Sequence, residues 1–302
     1  MAEDQGVNGT IWNKEVVKLL SLFGWENIGD YDMDVEGEDG KDYGLDSIMK
    51  FNTPLKQFPQ ATILEAKRYE TKNFNLSNLQ RWINRLDKKL LELKNSEPFK
   101  QQFPILEECS TLDTGVIAIW FHDIDNYKSF RPNFIEILQK VNLSSRQRKA
   151  GFNKIFVIDN HYILKLCSLY NAIKTDNQDS KIEFYYPSIL IDEEPIVREK
   201  TLSIEYILSN IILAESTSSK EYLVFYFGES LLDYFNQLKN LLAKCSVLDN
   251  DKSLKLFVYQ RDDEFRKIKP EIEKLFEDIK FEIKSMDNLS DLPSYIKDVA
   301  NE

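Results

Sequence analysis

The feature of the sequence that most constrains the fold is one aspartate, Asp46, followed nineteen residues later by Glu65-Ala66-Lys67. The tripeptide ends an apolar run, residues 61–64, and such a run favours a β-strand. Successive side chains of a strand point to opposite faces of the sheet, so Glu65 and Lys67 share one face. The pattern therefore predicts a sheet that carries a carboxylate and an ammonium group side by side, with a second carboxylate on a neighbouring strand.

Two carboxylates beside a lysine are the groups that metal-assisted cleavage of a phosphodiester bond requires. Asp46 and Glu65 would supply oxygen ligands to Mg²⁺ or Mn²⁺, hard cations that prefer such ligands. The bound ion would polarise the phosphate and acidify a water molecule. Lys67 would orient that water or offset the negative charge that develops on the phosphate. These residues are therefore a candidate hydrolytic site.

Apolar periodicity and turn residues place this candidate site within a definite order of elements. They predict a helix over residues 13–23, strands over residues 25–36, 43–51 and 61–69, an amphipathic helix over Leu76–Leu93 and a buried strand over Thr114–Phe121. The predicted order is therefore helix, three strands, helix, strand.

At Asp46, Glu65 and Lys67 the sequence resembles the PD-(D/E)xK nuclease superfamily, which has the restriction-endonuclease-like fold. The superfamily motif is an Asp near one strand and Glu-x-Lys on the next, and Leu45 stands where the proline of the motif would be. Residues 9–15, which open the first helix, are similar to the Mrr- and Holliday-resolvase-like members. The resemblance covers residues 9–121 and implies an αβββαβ core.

The resemblance also implies roles for individual residues. The main-chain carbonyl of Ala66 would join Asp46 and Glu65 as a metal ligand. Glu15 would be an additional ligand, because a glutamate at its position often joins the metal site in resolvase-like members. Gln80 would contact a water molecule or a phosphate. Asn84 stands where RecB-like exonucleases have a tyrosine, so the resemblance does not favour an exonuclease.

The net charge of −11 at first argues against a nucleic-acid partner. Its distribution favours one, because residues 47–154 carry 18 Lys and Arg against 11 Asp and Glu, while the segments on either side are acidic. DNA brought to Glu65 would need positive charge nearby to neutralise its phosphates. Arg68, Arg81 and Arg85 are the candidates for contacts with the DNA backbone. The alternative is that the basic residues merely cover exposed helix faces.

A polar stretch at residues 175–180 indicates a domain boundary. We expect a nuclease domain over residues 1–178 and an α/β accessory domain over residues 179–302. Strand and helix patterns alternate in the second domain, with residues 202–213 as one of the helices, and such alternation predicts a mainly parallel sheet. The second domain lacks a catalytic motif, which favours a role in interaction or sensing.

The sequence thus predicts a Mg²⁺-dependent DNA endonuclease, and the resemblance implies a tendency towards restriction or anti-phage defence. We expect a cytoplasmic protein, because no apolar run is long enough to span a membrane and the three cysteines are far apart. We also expect a complex, with a second protein subunit, a homodimer or both. Two alternatives stay open: a catalytically inactive nucleic-acid-binding or regulatory subunit with a nuclease-like fold, and RNA as the substrate.

Overall fold

The computed structural model describes residues 7–54, 56–110, 112–142, 153–176, 181–186, 197–219, 221–245, 247–248, 252–259 and 263–297. Packing divides the chain into two compact units, one of Met1–Ile163 with Ser290–Glu302 and the other of Leu164–Leu289. The domain boundary that the sequence predicts between residues 178 and 179 stays a prediction. In the described part of the chain, no helix is long and apolar enough to cross a membrane.

A five-stranded sheet of order β1-β4-β5-β6-β7 forms the centre of the first unit. Strands β5, β6 and β7 are parallel, whereas β4 pairs antiparallel with β5 and with β1. A separate hairpin, β2–β3, is inserted before β4. The elements are α1 (Val7–Ser21), β1 (Glu26–Ile28), β2 (Met33–Glu36), β3 (Asp42–Leu45), β4 (Ser47–Phe51), β5 (Gln60–Tyr69), α2 (Leu76–Leu93), α3 (Glu97–Gln102), β6 (Thr114–Phe121), α4 (Ile124–Gln139) and β7 (Lys154–Ile158).

Helices α1 and α2 pack on opposite faces of this sheet. The apolar stripe of α2 lies against Ile63, Ile117 and Ile119, on the sheet face that also carries Glu65 and Lys67. On the other face, the indole of Trp12 in α1 donates a hydrogen bond to the carbonyl of Ala118 at 3.1 Å. Counting only the strands of the five-stranded sheet, the predicted order of helix, three strands, helix and strand is confirmed, with the short helix α3 added before β6. The candidate site faces α2.

Two of the predicted strands are each divided in the structure. Residues 25–36 form β1 and β2, because the chain turns between them at Gly29 and Asp32, which have positive φ angles of 79° and 53°. Residues 43–51 form β3 and β4, which belong to different sheets and meet at Asp46. The prediction of continuous strands was wrong here, because alternation of apolar and polar residues continues across the point where a chain leaves one sheet for another.

The second unit contains a six-stranded sheet of order β13-β12-β11-β10-β8-β9. Its parallel part is β11, β12 and β13, and the other three pairings are antiparallel. The elements are α5 (Asn160–Asp176), which begins in the first unit, β8 (Ile182–Tyr186), β9 (Val197–Glu199), α6 (Ile204–Ile207), β10 (Ile211–Ser216), β11 (Glu221–Tyr226), α7 (Leu232–Lys244), β12 (Ser253–Val258), α8 (Asp263–Leu275) and β13 (Phe281–Ser285). Helix α9 (Ser294–Lys297) belongs to the first unit.

The second unit is therefore α/β, as predicted, but its sheet is mixed rather than mainly parallel. The difference arises at residues 202–213, which the sequence pattern assigns to a helix. The structure has only the short helix α6 there, and the rest of the segment begins strand β10, which forms a hairpin with β11. A hairpin makes neighbouring strands antiparallel, whereas a helical connection would have allowed them to be parallel.

The packing of α2 on the sheet leads to a stability prediction at Gly115 in β6. A Cβ atom added there would lie 2.7 Å from Cδ2 of Leu86, which is fully buried. We expect Gly115→Ala to lower the free energy of unfolding by about 1–3 kcal/mol, because the extra methyl group overpacks this contact. Chemical denaturation measures the change. In a Leu86→Ala background the same substitution should cost little, and additive losses would contradict the contact.

Candidate active site

Asp46 and Glu65 face each other across the β4–β5 pairing. The register pairs Ser47 with Leu64, so the next step along both strands places Asp46 opposite Glu65. Oδ2 of Asp46 accepts hydrogen bonds from the main-chain N–H of Ala66 at 2.7 Å and from Nζ of Lys67 at 3.2 Å. The same Nζ lies 3.1 Å from Oε2 of Glu65. The structure thus brings together the three residues of the motif, with the lysine between the two carboxylates.

The main chain of Asp46 is held by residues outside the motif. Its carbonyl accepts hydrogen bonds from the main-chain N–H of Asp32 at 3.0 Å and from the side-chain amide of Asn13 in α1. Oδ1 of Asn13 in turn accepts a hydrogen bond from the hydroxyl of Ser47 at 2.8 Å. Asn13 is fully buried, and the sequence interpretation missed it. The available signal was an amide side chain within the apolar stripe of α1, four residues before Val17 and seven before Leu20.

Helix α2 adds a second lysine to the site. Nζ of Lys89 donates a hydrogen bond to Oε1 of Glu65, so both carboxylate oxygens of Glu65 contact ammonium groups. The side chain of Lys89 is 15% exposed, whereas that of its neighbour Lys88 is 51% exposed. Lys89 stands seven residues after the buried Trp82, where the apolar stripe of α2 continues. A lysine at an apolar position of the stripe was the signal that could have identified it.

The charges of the site shift the pKa values of its two carboxyl groups in opposite directions. Burial by itself raises the pKa of Glu65, but the positive charges of Lys67 and Lys89 outweigh it and hold the pKa below its usual range. Burial, followed by the negative charge of Glu65, raises the pKa of Asp46 above its usual range, although Lys67 opposes this shift. Glu65 is therefore firmly ionised, and Asp46 is the carboxylate that lacks enough positive charge.

Glu15 lies away from this pair. The charges that act on it are those of Arg68 in β5 and of Lys297 and Asp291 near α9. Arg68 follows Lys67 in the strand, so its side chain is on the opposite face of the sheet. The structure therefore places both Glu15 and Arg68 on the α1 side, and it does not bring them to the Asp46–Glu65 pair.

Gln80 is also separate from the pair. Its side-chain amide donates a hydrogen bond to the carbonyl of Asn142 at 2.8 Å and accepts one from the main-chain N–H of the same residue at 2.9 Å. Gln80 precedes Lys89 by nine residues, or about 13 Å along the helix axis. Arg81 and Arg85 are exposed on α2 between these two positions. The guanidinium groups are thus available to a ligand that reaches the site along α2.

The donor set is compatible with a hard divalent ion. Asp46 and Glu65 are carboxylates, and the main-chain carbonyl of Ala66 points to the same edge of β5 as its N–H, which contacts Asp46. Among the described residues, no three His, Cys, Asp or Glu side chains form a group that could hold a metal ion. A site at this position would therefore depend on two carboxylates, a main-chain oxygen and water, which is a set that Mg²⁺ accepts.

Comparison with known families identifies the family to which the chain belongs. A family model described as the GAPS4 protein PD-(D/E)XK nuclease domain matches residues 1–162, which include α1, the motif and α2. The chain belongs to this family. It is a defence-associated nuclease family, and the resemblance to PD-(D/E)xK nucleases is confirmed. No curated protein and no solved structure matches the chain significantly.

The environment of Glu15 leads to a prediction about pH. Burial raises the pKa of Glu15 from 4.5 to about 7. Between these values the folded protein binds a proton that the unfolded chain releases, so stability falls as the pH rises through this range. We expect Glu15→Gln to remove this fall, which has an upper limit of about 3 kcal/mol.

Chemical denaturation of wild type and Glu15→Gln at about pH 5 and about pH 8 measures this difference. The exposed Glu107→Gln variant is the control, and it should follow the wild type. If wild type and Glu15→Gln lost the same stability between the two pH values, the account of Glu15 would be wrong.

Proposed function

We propose that this protein is a Mg²⁺-dependent endonuclease that cleaves phosphodiester bonds in DNA. The observation that carries the proposal is the convergence of Asp46, just before β4, with Glu65 and Lys67 on β5. The ammonium group of Lys67 is about equally far from both carboxylates. Membership of a PD-(D/E)XK nuclease family supports the same conclusion for residues 1–162. Mn²⁺ would support cleavage in place of Mg²⁺. Ca²⁺ would support much less cleavage, because it prefers a larger number of ligands.

Asp46, Glu65 and the carbonyl of Ala66 would hold the ion. A bound ion would supply polarisation of the phosphate and a lowered pKa for a water molecule beside it. Asp46 must be ionised to act as a ligand, and its main-chain contacts with Asn13 and Asp32 fix the position of its carboxylate. Rigid placement of this kind is what a ligand set needs from its supporting residues.

Lys67 would stabilise the negative charge that develops during cleavage. Its ammonium group lies 3.2 Å from Asp46 and 3.1 Å from Glu65, beside the carboxylates that would hold the ion. A preorganised positive charge in a partly buried site stabilises a transition state more strongly than the same charge in water. The side chain of Lys67 is 14% exposed, so it satisfies this condition.

DNA would approach along the exposed side of α2. Arg81 and Arg85 are one helical turn apart and exposed, and the row continues towards Lys89 at the site. Charges in such a row can follow a phosphate backbone and neutralise it. Arg68, the third arginine predicted to contact DNA, lies on the opposite face of the sheet beside Glu15, so Arg81 and Arg85 are the stronger candidates.

We further propose that the protein acts in anti-phage defence, in the cytoplasm and as part of a complex. The family supports the defence role. Residues 155–302 carry 18 Lys and Arg against 27 Asp and Glu, so the second half of the chain would contribute only weak non-specific affinity for DNA. A second subunit, or a second copy of this chain, would then contribute to DNA binding.

The second candidate function is a catalytically inactive subunit that binds nucleic acid or regulates a partner. One observation favours it: the two carboxylate oxygens of Glu65 are both neutralised by lysines of the protein itself. Such a site can be stable without an ion. A cleavage assay distinguishes the two functions.

We expect the purified protein to nick or linearise closed-circular DNA with Mg²⁺ or Mn²⁺ and to lose this activity in EDTA. Asp46→Asn and Lys67→Met should each lower the rate by about 10²-fold or more, because each removes a group that stabilises the transition state. Asp42→Asn and Lys100→Met change equivalent charges outside the site and should cleave at the wild-type rate.

Cleavage by Asp46→Asn at the wild-type rate would contradict the assignment of the site. If the wild type bound DNA without cleaving it, both alone and together with a partner subunit, the protein would be the catalytically inactive binding subunit of the second candidate function. A parallel assay with labelled RNA decides the substrate, since cleavage of RNA alone would replace DNA in the proposal.

A further inference from the structure

Lys89 has no assigned role in the motif, yet it donates a hydrogen bond to Glu65. The lysine comes from α2, whereas Lys67 comes from the same strand as Glu65, so two separate elements each supply a positive charge to one carboxylate. Lys67 also contacts Asp46 and therefore keeps a carboxylate partner if Glu65 takes another ligand. In the described part of the chain, Glu65 is the residue to which Lys89 donates its hydrogen bond.

An ion bound between Asp46 and Glu65 would need an oxygen of each. Oδ1 of Asp46 accepts no hydrogen bond from the described residues, because both side-chain contacts of Asp46 use Oδ2. Each oxygen of Glu65, in contrast, contacts an ammonium group. Each oxygen keeps a second lone pair for the ion, but the positive charge of the ammonium group beside it would repel a divalent cation. Lys89 is the lysine whose departure leaves the motif intact.

A displaced Lys89 would still lie next to the substrate. Its four-carbon side chain is flexible, so the ammonium group can move without a change in the backbone of α2. The exposed Arg85 is one turn away on the same helix, in the row that the proposed function assigns to DNA phosphates. A phosphate bound near the site would therefore be within reach of the ammonium group.

We propose that Lys89 is the counter-ion of Glu65 in the metal-free protein and transfers to a DNA phosphate when a divalent ion binds. Lys89 then competes with the ion for Glu65 and, once released, strengthens DNA binding. This inference rests on the proposed function, because it takes Asp46 and Glu65 as the ion's ligands. The inference goes beyond the proposed function because it makes ion binding and DNA binding depend on each other through one side chain.

The first test measures Mn²⁺ binding without DNA, by electron paramagnetic resonance or calorimetry. We expect Lys89→Met to bind Mn²⁺ about tenfold more tightly than wild type, because the competing ion pair is gone. Lys88→Met is the matched control: it makes the same charge change on the adjacent residue, whose ammonium group lies 3.9 Å from Asp39 and does not contact Glu65. It should change the affinity by less than about twofold.

The second test measures DNA affinity against salt concentration, with Ca²⁺ and with EDTA. With Ca²⁺, Lys89→Met should reduce the slope of log K against log salt by about one phosphate contact. With EDTA it should leave the slope unchanged, because Lys89 is then held by Glu65. Any change caused by Lys88→Met should be the same in both conditions.

The outcomes separate this inference from the proposed function. If wild type binds Mn²⁺, Asp46→Asn weakens the binding and Lys89→Met behaves like Lys88→Met, the inference is wrong while the function stands. Weaker Mn²⁺ binding by Lys89→Met would also overturn it, since Lys89 would then support the ion site. If neither wild type nor Lys89→Met binds Mn²⁺, the metal site of the proposed function fails and the inference fails with it.

Discussion

The hydrogen bond from the main-chain N–H of Ala66 to the carboxylate of Asp46 is the interaction on which the candidate site depends. Strand β4 begins at Ser47, so β5 continues past its antiparallel partner, and the Asp46 side chain binds the next free N–H of β5. This contact fixes an aspartate at a strand junction beside Glu65. The carbonyl of Asp46 is fixed independently by Asn13 of α1, so α1 and the sheet together position one carboxylate.

The balance of charge follows from this geometry. Two carboxylates that lie side by side on neighbouring strands repel each other, and the structure neutralises them unequally. Glu65 forms ion pairs with Lys67 and Lys89, whereas Asp46 shares Lys67 with Glu65. A divalent ion would relieve the remaining repulsion, which is the physical reason that such pairs bind metals. The protein thus combines a site that attracts a cation with a lysine of its own that already occupies part of it.

Sequence reasoning could predict the helices and sheet strands around the motif and the proximity of Asp46, Glu65 and Lys67, because both depend on local alternation and on the pairing of neighbouring strands. It could not show that residues 25–36 and 43–51 each divide into two strands or that β10 begins within residues 202–213. It could not predict contacts that depend on how helices are rotated against the sheet. Gln80 and Lys89 lie on the same helix, yet Gln80 binds Asn142 while Lys89 binds Glu65. The roles of Glu15, Gln80 and Arg68 stay predictions. Only the structure shows that these three residues lie away from the motif.

The central claim is that Asp46 and Glu65 hold a divalent ion, and the most direct measurement is its position. Crystals of the protein grown with Mn²⁺ would reveal the ion in an anomalous difference map. We predict a peak between the carboxylates of Asp46 and Glu65, within ligand distance of both. A map with no peak there, or with its peak at Glu15 on the opposite face of the sheet, would contradict the claim.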